Sequence, residues 1–289
     1  MVDLILSVVF SALLFVILRM FPSMKVITFN GIVVNYFTAA IWAAAFSKGL
    51  QASLLTEGSF LPVALLTGCM FIVVFFITGL TTQRTGVAVA SVASKMSMVI
   101  PVGVGLLLYN EQMGFMKAAG ILLAFPAVYL VSKPSSGNEL RKFRIQDLGL
   151  PVLLFIGAGV VDSMIKVVQH YFMNEQNRGQ VIMMIFASAG LVGLIRVCWM
   201  AFSGNYRFIT FRDCIGGVLL GSANYLSLHY LLKCLEAPGS ESSQVFTLVN
   251  TGVVTLSAVI AAIDFKEELT TSRIAGVLLA VASIIVLSA

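Results

Sequence analysis

Asn110-Glu111-Gln112-Met113, followed by Ala118-Ala119-Gly120-Ile121-Leu122-Leu123-Ala124 and ending at Ser132, is a pattern that this chain uses twice. Shifted by 156 residues it reads Lys266-Glu267-Glu268-Leu269, then Ile274-Ala275-Gly276-Val277-Leu278-Leu279-Ala280, then Ser288. Each copy follows a long apolar segment, Val87–Leu108 in the first and Gln244–Ile263 in the second. Two similar halves in an apolar chain are a known plan for secondary transporters, in which substrate sits where the halves meet. Movement of a small molecule across a membrane is therefore the leading expectation.

Composition sets the solvent. Apolar residues make up 59% of the chain and charged residues 11%, whereas a soluble domain carries about 25% charge. Most of the surface must then face lipid. The net charge of +5 comes from basic residues in short loops, which is a membrane-orientation signal and not a nucleic-acid-binding stripe. The four cysteines, Cys69, Cys198, Cys214 and Cys234, have neither metal spacing nor a paired framework and read as small apolar residues.

Ten apolar segments approach the roughly 20 residues needed to span a bilayer. They are Leu4–Leu18, Ile27–Phe46, Phe60–Leu80, Val87–Leu108, Met113–Val131, Leu148–Val168, Val181–Phe202, Cys214–Leu232, Gln244–Ile263 and Ile274–Leu287. The first follows Met-Val-Asp with no basic residue and no clear cleavage motif, so it reads as a retained helix. Five helices per half is an odd number, so the second half enters the membrane from the opposite side. The expected fold is an all-α integral membrane protein with ten transmembrane helices in two inverted five-helix repeats. Residues 1–132 form the first repeat, 133–147 a polar cytoplasmic linker and 148–289 the second repeat.

One set of loops carries Arg19, Lys25, Arg84, Lys133, Arg141, Lys142, Arg144, Arg207, Arg212, Lys266 and Arg273. The opposite set carries Lys48, Lys117, Arg178 and Lys233. That bias places the linker in the cytoplasm and both termini outside.

The five-helix halves each carry a Glu where the fourth helix meets the fifth (Glu111, and Glu267 or Glu268), and a Gly nine residues later (Gly120 after Glu111, Gly276 after Glu267). In this the chain resembles the EamA type of the drug/metabolite transporter superfamily over nearly its whole length. The segment Ser91-Val92-Ala93-Ser94-Lys95-Met96-Ser97-Met98-Val99-Ile100-Pro101 is similar to the family's fourth helix, where a proline is usual; the second copy has Ser257 at the matching place. The resemblance implies ten helices, export or uptake of small metabolites and a central cavity between the halves. It also implies cytoplasmic termini, as many members are thought to have, against the charge bias.

Glu111 and Glu267 read first as structural groups, since a carboxylate just before a helix complements the macrodipole and caps free N–H groups. Gly120 and Gly276 suit close helix packing. Ionisable residues within spans are costly and therefore informative. Arg196 lies roughly 9 Å from a helix end, near enough to snorkel, and Lys166 is closer still to its own end. His229, near a helix end, reads as a locally partnered residue. Lys95 lies roughly 12 Å deep and Asp162 roughly 21 Å deep from the same face. Asn224 and Tyr225 fall near the midplane and Asn250 near the level of Asp162.

These residues lie on polar stripes with helical spacing: Ser91, Ser94, Lys95 and Met98; Asp162, Lys166, Gln169 and His170; Gln244, Thr247, Thr251 and Thr255, with Asn250 beside them. Such stripes point one way from each helix. Facing a shared cavity, they make Lys95, Ser91, Ser94, Asp162, Asn224, Tyr225, Asn250, Thr251 and Thr247 the candidate substrate-binding set. Asp162 is the candidate coupling residue, with a proton as its ion. An ion pair of Lys95 with Asp162, or of Asp162 with Lys166, would instead hold the bundle in register. Pro101 removes a hydrogen bond to the Ser97 carbonyl and should kink the helix just beyond Lys95.

Other function classes fit less well. Metal or nucleophilic chemistry needs clustered His, Cys and carboxylates, and the two histidines, His170 and His229, stand apart without motif partners. No Gly-rich phosphate loop precedes a basic helix, which argues against ATP-driven pumping by this chain alone. The expectation is therefore a carrier and not an enzyme. It needs no cofactor or metal, binds no nucleic acid, and moves a small polar, carboxylate-bearing metabolite such as an amino acid by alternating access. It would act as a monomer or homodimer in the lipid bilayer of a bacterial cytoplasmic membrane. A channel, a non-transporting scaffold and a membrane enzyme are the alternatives.

Overall fold

The computed structural model describes residues 2–47, 60–102, 114–133, 148–174, 177–204, 206–236, 242–268 and 270–288. Glu111 lies outside them, as do the side chains of His170 and Gln244. The described residues form helices and no strands. In chain order these are α1 (Val2–Met20), α2 (Thr28–Phe46), α3 (Phe60–Thr85), α4 (Val87–Met96), α5 (Phe115–Val131), α6 (Gly149–Phe172), α7 (Arg178–Phe202), α8 (Phe211–Glu236), α9 (Ser242–Ile263) and α10 (Thr271–Ser288). Six of them, α1, α2, α3, α6, α7 and α9, are long and apolar enough to cross a bilayer. The segments of α4, α5 and α10 are apolar but shorter.

Helices are the expected answer where no water is available to backbone groups, because each segment then satisfies its own N–H and C=O groups. Hydroxyl side chains obey the same constraint. Thr67, Thr81, Thr82, Thr85 and Ser132 each donate to the carbonyl four residues back in their own helix, at 2.6–2.8 Å. Large apolar side chains such as Ile41, Leu66, Val73, Leu122, Leu191, Ile195 and Leu278 point outward, which matches a lipid-solvated surface.

The chain divides into two compact units. The first comprises Met1–Arg19, Ile77–Val160 and Leu226–Ala289; the second comprises Met20–Phe76 and Val161–Tyr225. Each unit draws helices from both halves of the sequence, so the spatial division differs from the sequence division at 133–147.

In the first unit α5 packs on α10 and α4 on α9. Under the 156-residue shift these are counterpart pairs, since Phe115–Val131 maps onto 271–287 and Val87–Met96 onto 243–252. The α5–α10 contact is reciprocal. A Cβ on Gly120 would lie 2.6 Å from Leu287 Cγ, and one on Gly276 would lie 2.6 Å from Val131 N, while Gly120 and Val131 map onto Gly276 and Leu287. The start of each helix meets the end of the other, so the pair is antiparallel. The Ser283 hydroxyl adds a bond to the Gly120 carbonyl at 2.8 Å. In apolar surroundings, where burial gives no advantage over lipid, small residues of this kind supply close van der Waals packing.

In the second unit α2 packs on α7, the second helix of one half on the second helix of the other. This pair is antiparallel too: Gly179, at the start of α7, lies by Ser47 past the end of α2, and Gly193, further along, lies by Val33. Phe60, Ala64, Val168, Val181 and Ile185 form a buried cluster linking α3, α6 and α7. The Tyr36 hydroxyl donates to the Phe71 carbonyl at 2.9 Å.

Candidate functional site

The first unit holds six of the predicted binding residues, on α4 and α9. Ser91 is fully buried, and its hydroxyl donates to the Ala88 carbonyl at 3.0 Å. Ser94 and Lys95 are half-buried one turn further on. There the α-helix ends: Ser97 and Met98 form a turn before helical residues resume at Val99. Pro101 has no N–H for the Ser97 carbonyl, which instead accepts from the Ile100 N–H at 2.9 Å. The Ser97 hydroxyl bonds the Ser94 carbonyl at 2.6 Å. Lys95 thus sits at the last turn before a break with a definite cause.

On α9, Thr247, Asn250 and Thr251 are half-buried. The Asn250 amide donates to the Met98 sulfur at 3.8 Å, a weak acceptor. The hydroxyls of Thr251 and Ser257 are buried with no hydrogen-bond partner among the described residues. Leaving a buried hydroxyl unmatched costs about 1–3 kcal/mol, and each such group calls for an explanation. The repeat shift carries Ser91 onto Thr247, Ser94 onto Asn250, Lys95 onto Thr251 and Pro101 onto Ser257. The six residues are therefore three counterpart pairs on two packed helices, with a fixed charge in one pair only.

The other three predicted residues belong to the second unit. Asp162, on α6, is exposed, and so is Lys166. The Asn224 amide donates to Asn35 Oδ1 at 3.3 Å. Tyr225 is buried and stacks on Phe46 and Trp42, with ring centroids 5.8 and 6.4 Å apart. The Trp42 indole N–H bonds the Ser222 hydroxyl at 3.1 Å. Asn224 and Tyr225 thereby tie α8 to α2. The Arg196 guanidinium lies 4.5 Å over the Phe29 ring, and His229 meets Tyr230 edge-to-face.

Glu267 is a helix-capping group for a different helix from the one it precedes. Its carboxylate accepts the Val87 N–H, the first of α4, at 2.9 Å. Its own N–H bonds the Ala261 carbonyl near the end of α9. The carboxylate fills the space beside Gly86, whose φ of +114° and lack of a Cβ permit the one-residue α3–α4 turn. Nearby, Arg19 donates to the Thr82 and Gln83 carbonyls, and the Gln83 amide donates to the Leu18 carbonyl at 2.9 Å.

One organising residue escaped the sequence reading. Asp213 is fully buried and accepts from the Thr210 N–H and hydroxyl, the Ile27 N–H and the Asn30 amide, at 2.7–3.3 Å. It joins the starts of α2 and α8. Burial pushes its carboxyl up, but those hydrogen bonds outweigh burial and hold it below its ordinary value. The signal was present as Thr210-Phe211-Arg212-Asp213, a capping-box spacing with Asp in place of Glu. No three His, Cys, Asp or Glu side chains converge on a possible metal position among the described residues.

No family model matches the chain. It is 24% identical over 288 residues to an uncharacterized protein of Haemophilus influenzae, across 98% of this chain and 96% of that one. A protein of known crystal structure shares the fold with a TM-score of 0.57 at 14% identity, covering 97% of this chain and 95% of its own.

Proposed function

We propose that this protein is a secondary transporter of the EamA type, in which ten helices cross the membrane as two inverted repeats. The observation that carries the proposal is the set of counterpart residues on α4 and α9. An inverted repeat brings equivalent helices together across its pseudo-two-fold axis, and transporters of that plan bind substrate near the axis at broken helices. Within the first unit, the antiparallel α5–α10 pair supports such an axis. The break at Ser97–Met98 and the unmatched Thr251 hydroxyl support a ligand at the α4–α9 pair.

Replacing Lys95 by Thr251 at the counterpart position makes the two sides of the site unequal. A substrate with an anionic group at one end and a neutral polar group at the other fits that inequality, and a carboxylate-bearing metabolite has this form. The test is substrate counterflow in liposomes containing only the purified protein, with small carboxylates screened first by thermal shift. Trans-stimulated exchange of a bound compound supports a carrier. Uptake indifferent to substrate on the far side points to a channel, and absence of any binding or flux points to a scaffold.

A further inference from the structure

We infer that the α7–α8 turn of the second unit is a seat for the headgroup of an anionic phospholipid. The inference rests on α7 as a membrane span and not on transport. Trp199, Phe202 and Phe211 are 73%, 82% and 79% exposed, with exposed Phe208 beside them and packed edge-to-face on Phe202 at 5.6 Å. Four large aromatic rings left open over 13 residues are out of place in water. They suit the bilayer interface, where rings sit at headgroup level.

The same end of the unit is basic. Lys25, Arg207 and Arg212 are exposed, as is Arg196, whose guanidinium lies over the Phe29 ring, while Asp213 is the single carboxylate among residues 20–31 and 196–216, leaving a formal +3. That carboxylate is occupied by donors from Thr210, Ile27 and Asn30. Arg207 is 4.0 Å from it, at the outer limit of an ion pair, with a side chain 56% exposed. Its guanidinium therefore keeps donors directed outward, in the fork that matches phosphate oxygens. Lys25 is held in place by the turn before α2, where Lys25 N–H bonds the Pro22 carbonyl and Ile27 N–H bonds Asp213. Cations fixed beside aromatic anchors favour an anionic lipid surface over a neutral one.

The chain has two tryptophans, so Trp42→Phe leaves Trp199 as the reporter at the turn. In vesicles of phosphatidylglycerol and phosphatidylcholine, one lipid at a time carries brominated chains that quench nearby indoles. Severalfold stronger quenching of Trp199 by brominated phosphatidylglycerol at equal mole fraction is expected, with the preference lost in Arg207→Gln/Arg212→Gln. Equal quenching by the two lipids, or a preference that survives the double substitution, overturns the inference. The unsubstituted chain supplies a second measurement, in which phosphatidylglycerol raises the melting temperature above that in phosphatidylcholine. Inorganic phosphate alone producing the same rise would identify a free-anion site and overturn the lipid assignment.

Discussion

Gly120 lies against Leu287 so closely that a Cβ on the glycine would stand 2.6 Å from Leu287 Cγ, and the counterpart contact of Gly276 with Val131 is as tight. Reciprocal contacts of this kind are what a two-fold operation produces when it maps a surface onto itself. Here both partners belong to one chain, and a glycine stands at the contact in each half.

The two glycines should respond unequally to alanine. At Gly276 the obstacles are the Val131 nitrogen and the Ala127 carbonyl, whereas at Gly120 the nearest atoms belong to the Leu287 side chain. Gly276→Ala is expected to destabilise by about 1–3 kcal/mol, the usual range for overpacking, and Gly120→Ala by less. Gly114→Ala, where nothing lies within 4 Å, serves as the control. Thermal unfolding in detergent checks the order, and equal losses at all three positions would contradict it.

Glu267→Ala leaves the Val87 N–H uncapped, which should cost about 0.5–2 kcal/mol; Glu267→Gln keeps an acceptor and should cost less. Gly86→Ala meets both the Glu267 carboxylate and a φ of +114°. Because the backbone strain remains when the carboxylate is removed, the loss from Gly86→Ala should largely persist in the Glu267→Ala background. A double-mutant cycle of melting temperatures measures this, and full rescue would mean that collision alone was responsible.

Asp213 makes stability depend on pH in a direction that its hydrogen bonds determine. A carboxyl held below its unfolded value contributes stability above that value, about pH 3.9, and loses it as pH falls through the folded value. Asp213→Asn should therefore lower the melting temperature at pH 7, and the gap from the parent should narrow below about pH 4. Melting curves at pH 7, 5 and 3 read it out. A gap that widens in acid would show that the carboxylate is not the stabilising form.

Lys95→Ala should reduce transport at least tenfold, equivalent to about 1.4 kcal/mol of lost interaction, with little change in melting temperature because the side chain is only half-buried. Lys95→Arg should restore activity in part, since a planar fork does not replace a compact ammonium in a fitted site. Liposome counterflow and a parallel melting curve separate binding from folding. A stable, fully active Lys95→Ala would leave Lys95 with a structural role.

Asp162 is exposed, so coupling through it requires that it face a water-accessible cavity and not lipid. Asp162→Asn is expected to abolish accumulation driven by a pH gradient while leaving counterflow intact. Accumulation persisting in the variant, with pH as the sole driving force, would remove Asp162 from coupling.

Length and apolarity made the helical character of the described segments legible, six of them long and apolar enough to span a bilayer, because each helix depends on residues near one another in the chain. The helix break beyond Lys95 was legible for the same reason, since Pro101 removes a bond to a carbonyl four residues back. Partner choice across long separations was not. Nothing local distinguishes a Glu267 that caps α10 from one that reaches α4 in the other half; that depends on where Val87 N–H points after α9 and α10 have packed. The mutual stacking of Tyr225, Trp42 and Phe46 is likewise invisible in the sequence around Asn224 and Tyr225. Sequence periodicity determined which faces of the helices are polar. Tertiary packing alone decided which of those groups are satisfied by protein and which, like the Thr251 hydroxyl, are left for something else to meet.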